Sequence, residues 1–462
     1  MNSVPLAAKL PAQAVSSPQK SLAKMTLWPL VAATFFMVSG GTYGTEDIIH
    51  GAGYGRGILI LLLTPLLWSL PTALMIGELS TALPAEGGYY VWVRRAMGRF
   101  WGFQEAWLSL VASIFDMAIY PALFIAYLTR LLPSFDTNLR RMMVGLAVVA
   151  VCALLNIGGI RVVGTTSLGL FLLLSAPFAL IVLLAPFKAG ALAGAATTPV
   201  TSTVGLLGGI LICMWNYMGW DNASTVAGEV DRPQRTYPRA MFLAVAIVSA
   251  SYILPVTAMW LTGVSASSFE TGSWADFAAL LGGPWLRAAL VLGGMMSGFG
   301  MLNALVMSYS RLPLAMSQDG MLPKVFGKVH PKTGAPWVAI LFLAVGWALC
   351  LGIGFERLVT LDVLISGLSL ILEFLALVFL RVREPKLARP FRVPGGIRGA
   401  VLLGVFPLLL LILSAVRGEQ ETVLGMNGLL FGAILIAAGF LAYLPTLLVA
   451  PAQETESTAN RG

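Results

Sequence analysis

Three carboxylates, Glu46, Asp116 and Asp221, sit inside long apolar stretches of this sequence, where an ionised group costs several kcal/mol unless it is paired or solvated. Each is followed or preceded by residues that could hold a cation or grip a polar ligand. Asp221 comes directly after Gly219 and Trp220, with Trp215 and Asn216 just before. Asp116 stands four residues before Tyr120 and five before Pro121. Glu46 and Asp47 follow the run Gly40-Gly41-Thr42-Tyr43-Gly44. Such acids either take up protons or await a cation, and neighbouring Trp and Tyr faces can stack on that cation. Tyr43, Trp215, Tyr217 and Trp220 could equally be ordinary packing aromatics. The glycine run has a second potential: exposed N–H groups at a half-helix start attract an anion, so Gly40 to Gly44 could hold a substrate carboxylate. A zwitterion would use both features, and a cation mainly the acids.

Two further acids, Glu78 and Glu229, lie near the ends of their segments, where capping or pairing with loop arginines is an equal alternative. Asp47 can face water as readily as a ligand. His50 reads as interfacial and His330 as a loop residue, so with two histidines no metal site is expected. Cys152, Cys213 and Cys350 are scattered through apolar segments, with no spacing that suggests a metal site or a disulfide framework.

The elements that must position these groups follow from composition. Of 462 residues, 58% are hydrophobic and 11% charged, and the mean hydropathy is +0.85. A soluble domain carries roughly 25% charged residues, so the chain is expected to be an all-α integral membrane protein. Breaks at charged and Gly/Pro clusters give about twelve spans, each near the length a bilayer core requires: 26–53, 58–82, 101–132, 142–160, 166–187, 203–229, 239–263, 284–311, 336–354, 358–381, 399–416 and 427–449. The net charge of +8 lies between spans rather than on a soluble face, which argues against nucleic acid. Most Lys and Arg residues fall in alternate loops, which places both termini in the cytoplasm. Residues 1–24 and 450–462 read as cytoplasmic tails without a signal peptide.

Spans 1 and 6 are both interrupted at their middles, by Gly40, Gly41 and Gly44 and by Gly219-Trp220-Asp221. Irregular backbone at that depth is tolerated only where it is buried or lines a cavity. The alternative, close helix packing through small residues, explains one glycine pair more easily than two matched breaks. Their odd offset of five spans places them in opposite orientations. Matching broken helices in inverted halves point to a transporter binding site at the midplane. A channel would show a continuous polar stripe, and an enzyme would need a nucleophile or metal cluster; neither pattern is present.

Three stretches carry a family resemblance: GGTYG, WNYMGWDNASTVAGEVDRPQRTYPRA, and RLPLAMSQDGMLPKVFGKVHPKTGAPW with Arg311, Asp319, Gly320, Leu322 and Pro323. Over roughly 25–450 the chain resembles the amino acid–polyamine–organocation superfamily of transporters. GTYGTEDIIHGAG, PAEGGYYVWVRRAMGRFWGFQEAW and DMAIYPALFIAYL are similar to the plant and protozoan polyamine-uptake (L-type amino acid transporter-like) branch. The resemblance implies a leucine-transporter-like fold with inverted five-helix repeats, over about 25–187 and 203–381 of a core at 25–381, with added helices at 399–449. It also implies alternating access, a cationic substrate contacted by Glu46, Asp116 and Asp221, and a gating aromatic at Trp215. Related proton-using branches carry a lysine in span 5, whereas TTSLGLFLLLSAPFALIVLL has no ionisable residue. Proton coupling here would therefore run through carboxylates, with Glu46, Glu78 and Asp116 as candidates.

The expected activity is import of polyamines or cationic amino acids, with H+ as coupling ion and no other cofactor. A neutral or broad-specificity amino acid permease or exchanger is the alternative. The expected site is Gly40, Gly41, Thr42, Tyr43, Gly44, Glu46, Asp116, Tyr120, Trp215, Asn216 and Asp221. The expected partners are the small substrate and bilayer lipid, in a plasma membrane or bacterial inner membrane; the sequence specifies no oligomeric state.

Overall fold

The first apolar run folds as α1 (Leu27–Val38) and stops where Ser39 turns extended and Gly41 and Gly44 take positive φ. Helix resumes as α2 (Glu46–Thr64), whose N-terminal turn carries Glu46 and Asp47, the charge sign that helix N-termini favour. A π turn at Pro65–Ser69 leads into α3 (Leu70–Ala82), then α4 (Gly88–Met97), α5 (Arg99–Leu131), α6 (Asn138–Ile157) and α7 (Ile160–Leu184). The second half runs α8 (Leu206–Asn216), α9 (Pro233–Thr262), α10 (Trp274–Gly282), α11 (Pro284–Tyr309) and α12 (Arg311–Gln318). It closes with α13 (Trp337–Leu349), α14 (Phe355–Arg383), α15 (Gly396–Gly418) and α16 (Gly428–Leu448). This is a computed structural model, and it describes residues 24–194, 206–351, 355–418, 422–423 and 426–448. The tails expected at 1–24 and 450–462 fall outside the described residues, except Lys24.

Among the described residues, nine helical stretches are long and apolar enough to cross a membrane. The about twelve spans read from sequence differ from these nine for physical reasons. The first and sixth are broken by backbone that leaves helical geometry, and the ninth, α13, is a shorter apolar helix. The boundary between the first two expected spans is also soft: helix runs from Glu46 to Ala82, bent where Gly53 takes φ 72°. Three short helices, α4, α10 and α12, lie in stretches read as loops or span ends. Alpha-4 is amphipathic, burying Tyr89, Tyr90, Trp92 and Val93 while Arg94 and Arg95 face outward.

The apolar windows of α5 and α11 are 78% buried and those of α15 and α16 only 17%. The first pair therefore forms the core, and the second presents bare apolar faces such as Leu402 and Leu441 that hydrocarbon, not water, can solvate. Alpha-5 packs between α11 and α14, and α1 packs on α7, α9 and α11. Both breaks reach this long central helix: Trp215 of the second meets Asp116, and Tyr43 of the first packs edge-on against Tyr127.

Candidate substrate site

Alpha-8 ends at Asn216 because Gly219 takes a left-handed conformation and the chain tightens into a 3-10 turn, Trp220–Thr225. Side chains from elsewhere satisfy the freed carbonyls. Tyr252 donates to the Asn216 carbonyl at 2.6 Å and Tyr237 to that of Ala223 at 2.6 Å. Ser308 donates to the Asn222 side-chain oxygen at 2.7 Å. Asn216 in turn donates to the Gly44 carbonyl at 3.2 Å, so one break is tied directly to the other.

The first break is held the same way. Ser297 donates to the Gly40 carbonyl at 2.6 Å, Thr42 to the Ser251 carbonyl at 2.6 Å, and Tyr43 to the Leu290 carbonyl at 2.7 Å. Two of its N–H groups are already used within the segment, Gly41 on Ser39 Oγ at 3.0 Å and Gly44 on Glu46 Oε2 at 2.7 Å. The nearest ready-made grip for a substrate carboxylate is thus partly filled by the protein itself.

Between the second break and α5 lies a polar cavity lined by Asp116, Tyr120, Trp215, Asp221, Tyr309 and Asp362. Gly219 and Asn222 border it on the turn, and Ser109, Ser366 and Ser369 on the helices. Tyr120 donates to Asp116 Oδ1 at 2.5 Å, and the Trp215 indole donates to the same oxygen at 3.4 Å. Their rings stack with centroids 6.3 Å apart, forming an aromatic wall beside the carboxylate. Asp362 accepts from Ser366 at 2.8 Å. Among the described residues no Lys or Arg forms an ion pair with Asp116, Asp221 or Asp362, whereas every ion pair present joins other acids. The volume is about 30 Å³, roughly a tenth of the smallest usual small-molecule pocket. The conformation is therefore closed around the site and must open to admit a ligand.

Of the residues singled out from sequence, Asp116, Tyr120, Trp215 and Asp221 come together here, with Asn216 bridging the breaks. Gly40 to Gly44 and Glu46 lie outside this lining. Glu46 is fully buried and accepts from Gly44 N–H, from the Tyr127 hydroxyl at 2.7 Å and from Gly272 N–H at 3.0 Å. For Glu78, of the two readings left open by its place at a span end, the structure shows pairing with arginines. Arg381 pairs with both its oxygens and Arg389 reaches it at 3.2 Å, because the end of α14 and the segment after it fold back against α3. Glu229 likewise meets Arg311 at 3.2 Å. Sequence reasoning missed Asp362, Tyr309 and the serines. The signal for Asp362 was present, since it is an acid inside an apolar span just as Asp116 is; the serines and Tyr309 carry no such mark. Among the described residues, no group of three or more His, Cys, Asp or Glu is arranged to hold a metal ion.

The pattern of the amino acid permease family matches residues 31–440, nearly the whole chain. The chain belongs to the amino acid permease family. This permease is 37% identical over 434 residues to a probable polyamine transporter of Arabidopsis thaliana, covering 93% of its own length and 88% of that protein. It is 35% identical over 441 residues to a polyamine transporter of Oryza sativa subsp. japonica, covering 92% and 80%. A serine/threonine exchanger of Bacillus subtilis is 28% identical over 338 residues, 71% of this chain and 75% of the exchanger. The permease is accordingly a multi-pass membrane transporter of the amino acid–polyamine–organocation superfamily rather than an enzyme.

Proposed function

We propose that this permease imports linear polyamines by alternating access, coupled to protons. The observation that carries the reading is the cavity itself: Asp116, Asp221 and Asp362 face one space beside the Tyr120–Trp215 wall, with no basic side chain paired to them among the described residues. A cation with several ammonium groups satisfies such carboxylates and can stack on the aromatics. Protons are the other species that can neutralise them, which makes exchange between protons and substrate at these acids a route for coupling. The Arabidopsis and rice relatives, a probable polyamine transporter and a polyamine transporter, support the same substrate class.

The architecture that serves this function is twelve spans, with two inverted repeats over about 25–187 and 203–381 and breaks at the first and sixth. The matching positions of the breaks and the Asn216–Gly44 link support it. Arginines Arg94, Arg311, Arg381 and Arg389 share one end of the bundle, which supports placing that end and both termini in the cytoplasm of a plasma or bacterial inner membrane.

Amino acid exchange is the second reading, favoured by the likeness to the Bacillus exchanger and by the glycine break. Uptake of labelled spermidine, putrescine, arginine and leucine into proteoliposomes, with and without an inward proton gradient, separates the two. Polyamine accumulation that collapses with the gradient, and that Asp221→Asn abolishes in folded protein, is the expected result. Flux of amino acids alone, needing internal substrate and no gradient, overturns it.

A further inference from the structure

Alpha-5 and α14 run antiparallel, and the face that frames the cavity continues into a second polar layer nearer the arginine-rich end. Ser109 and Ser369 line the cavity, with their hydroxyls 2.8 Å apart. Behind them, Glu105 Oε1 accepts from Ser369 and from Ser109 at 3.4 Å. Glu373 lies one turn beyond Ser369 on α14, fully buried, and neither of its carboxylate oxygens has a partner. The second oxygen of Glu105 and the hydroxyl of Tyr89, on α4, are also buried and unpartnered. Alpha-4, which carries Tyr89, packs against both α5 and α14, the helices that carry the two glutamates.

Buried polar atoms without partners are rare and each requires an explanation. Two buried carboxylates without a counter-ion are costlier still. Here the orphan atoms are acceptors, three carboxylate oxygens in all, beside one phenol. An ammonium group has three donors and no acceptor, so it complements that set. Position supports the same ligand. Glu105 starts eleven residues before Asp116, about 16 Å along α5 at 1.5 Å per residue. Its carboxylate reaches Ser109 at 3.4 Å, which is about 10 Å from Asp116 along the helix. That spacing exceeds the reach of a four-carbon diamine and suits the end-to-end length of an extended triamine. The paired serine hydroxyls stand between the two layers, each donating to Glu105.

We propose that Glu105 and Glu373, reached past Ser109 and Ser369, form a second cation subsite. It takes the distal ammonium of a linear triamine or longer polycation whose first ammonium sits among Asp116, Asp221 and Asp362. The proposal rests on the polyamine reading above and adds selectivity by length and charge number.

The test is competition for labelled spermidine uptake into proteoliposomes by spermidine, by putrescine, and by spermidine acetylated at one end. In the wild-type protein the free triamine competes about tenfold or more better than the other two, the scale of one charge-assisted contact. In Glu105→Gln/Glu373→Gln that preference shrinks to about twofold. Equal competition by all three in the wild type overturns the subsite while the polyamine reading stands. Absence of any polyamine uptake overturns the reading beneath it. A triamine preference that survives the double substitution in monodisperse protein puts the distal ammonium elsewhere and also overturns the proposal. The acetylated competitor needs no variant, so the decision does not depend on the double variant folding.

Discussion

The Glu46 carboxylate and the Gly272 backbone N–H meet at 3.0 Å although 226 residues separate them in sequence. The contact ties the restart of the first broken helix to the segment before α10. Thr271 on the same segment donates to Asp47 at 3.0 Å, and Arg130 at the end of α5 holds Glu270 at 2.8 Å and Asp276 at 3.0 Å. The far end of the bundle is thus latched across four elements, with Glu46 at the centre.

Glu46→Ala leaves three donors without an acceptor, Gly44 N–H, Gly272 N–H and the Tyr127 hydroxyl, at about 1–3 kcal/mol each. The expected result is a large fall in the thermal unfolding midpoint in detergent, with a smaller fall for Glu46→Gln, which keeps one acceptor. If Glu46 is instead a ligand for the substrate ammonium, both variants lose spermidine affinity while the midpoint holds. Melting curves and binding isotherms on the same samples separate latch from ligand.

Glu78 is the second acid with a dense set of partners, the arginine pairing that its place at a span end left open. It is fully buried between Arg381 and Arg389 and also accepts the Val393 N–H at 2.7 Å. Glu78→Gln leaves two arginines uncompensated, and breaking a buried pair this way costs about 3–5 kcal/mol. The expected outcome is a strongly destabilised protein whose residual uptake still depends on the proton gradient. Unchanged stability combined with gradient-independent uptake would return Glu78 to the proton path.

Apolar runs too long for a soluble core announced the membrane, and glycines beside acids announced both breaks. Asp116, Asp221, Tyr120 and Trp215 were legible because a carboxylate in an apolar span has few structural uses. The rest depended on which helices come together. Glu78 sits 303 residues from Arg381, so no local pattern reveals that pair. Glu46 looked like Asp221 in sequence, but the donors that claim it arrive from Tyr127 and Gly272. Asp362 and Glu373 were readable by the same rule as Asp116, whereas their grouping with α5 rests on the antiparallel packing of α14 against it.

Arg95 and Glu384 form a two-pronged pair, with Nε on one oxygen at 2.9 Å and Nη2 on the other at 2.6 Å. They join α4 to the chain just after α14. The hydrogen bonds from Arg95 hold the Glu384 carboxyl below its ordinary value. Because the folded value is depressed, the contribution is fully present above the unfolded carboxylate value, about 4.3. It is lost as pH falls through the lower folded value. Both side chains are partly exposed, so the pair is worth under about 1 kcal/mol. Unfolding midpoints of wild type and Glu384→Gln should differ by a small, constant amount at neutral pH and converge in acid. A difference that persists unchanged at the acid end assigns the effect to packing instead.

Gly219 and Gly53 offer a comparison between two positive-φ glycines that differ in their surroundings. Gly219, at φ 90°, approaches α1 so closely that an added Cβ would stand 2.4 Å from the Met37 carbonyl oxygen. Gly53, at φ 72°, has nothing within 4 Å of that position. Alanine at either site meets the left-handed penalty, roughly 1–2 kcal/mol. At Gly219 it must also push α1 away from the turn that carries Asp221, because the obstructing atom is backbone and cannot rotate aside. Gly219→Ala should therefore lose both stability and more than about tenfold of spermidine uptake, whereas Gly53→Ala should keep uptake within about twofold. Paired melting and uptake measurements check this. Equal behaviour of the two variants would mean that the contact between the broken helices does not set the geometry of the site.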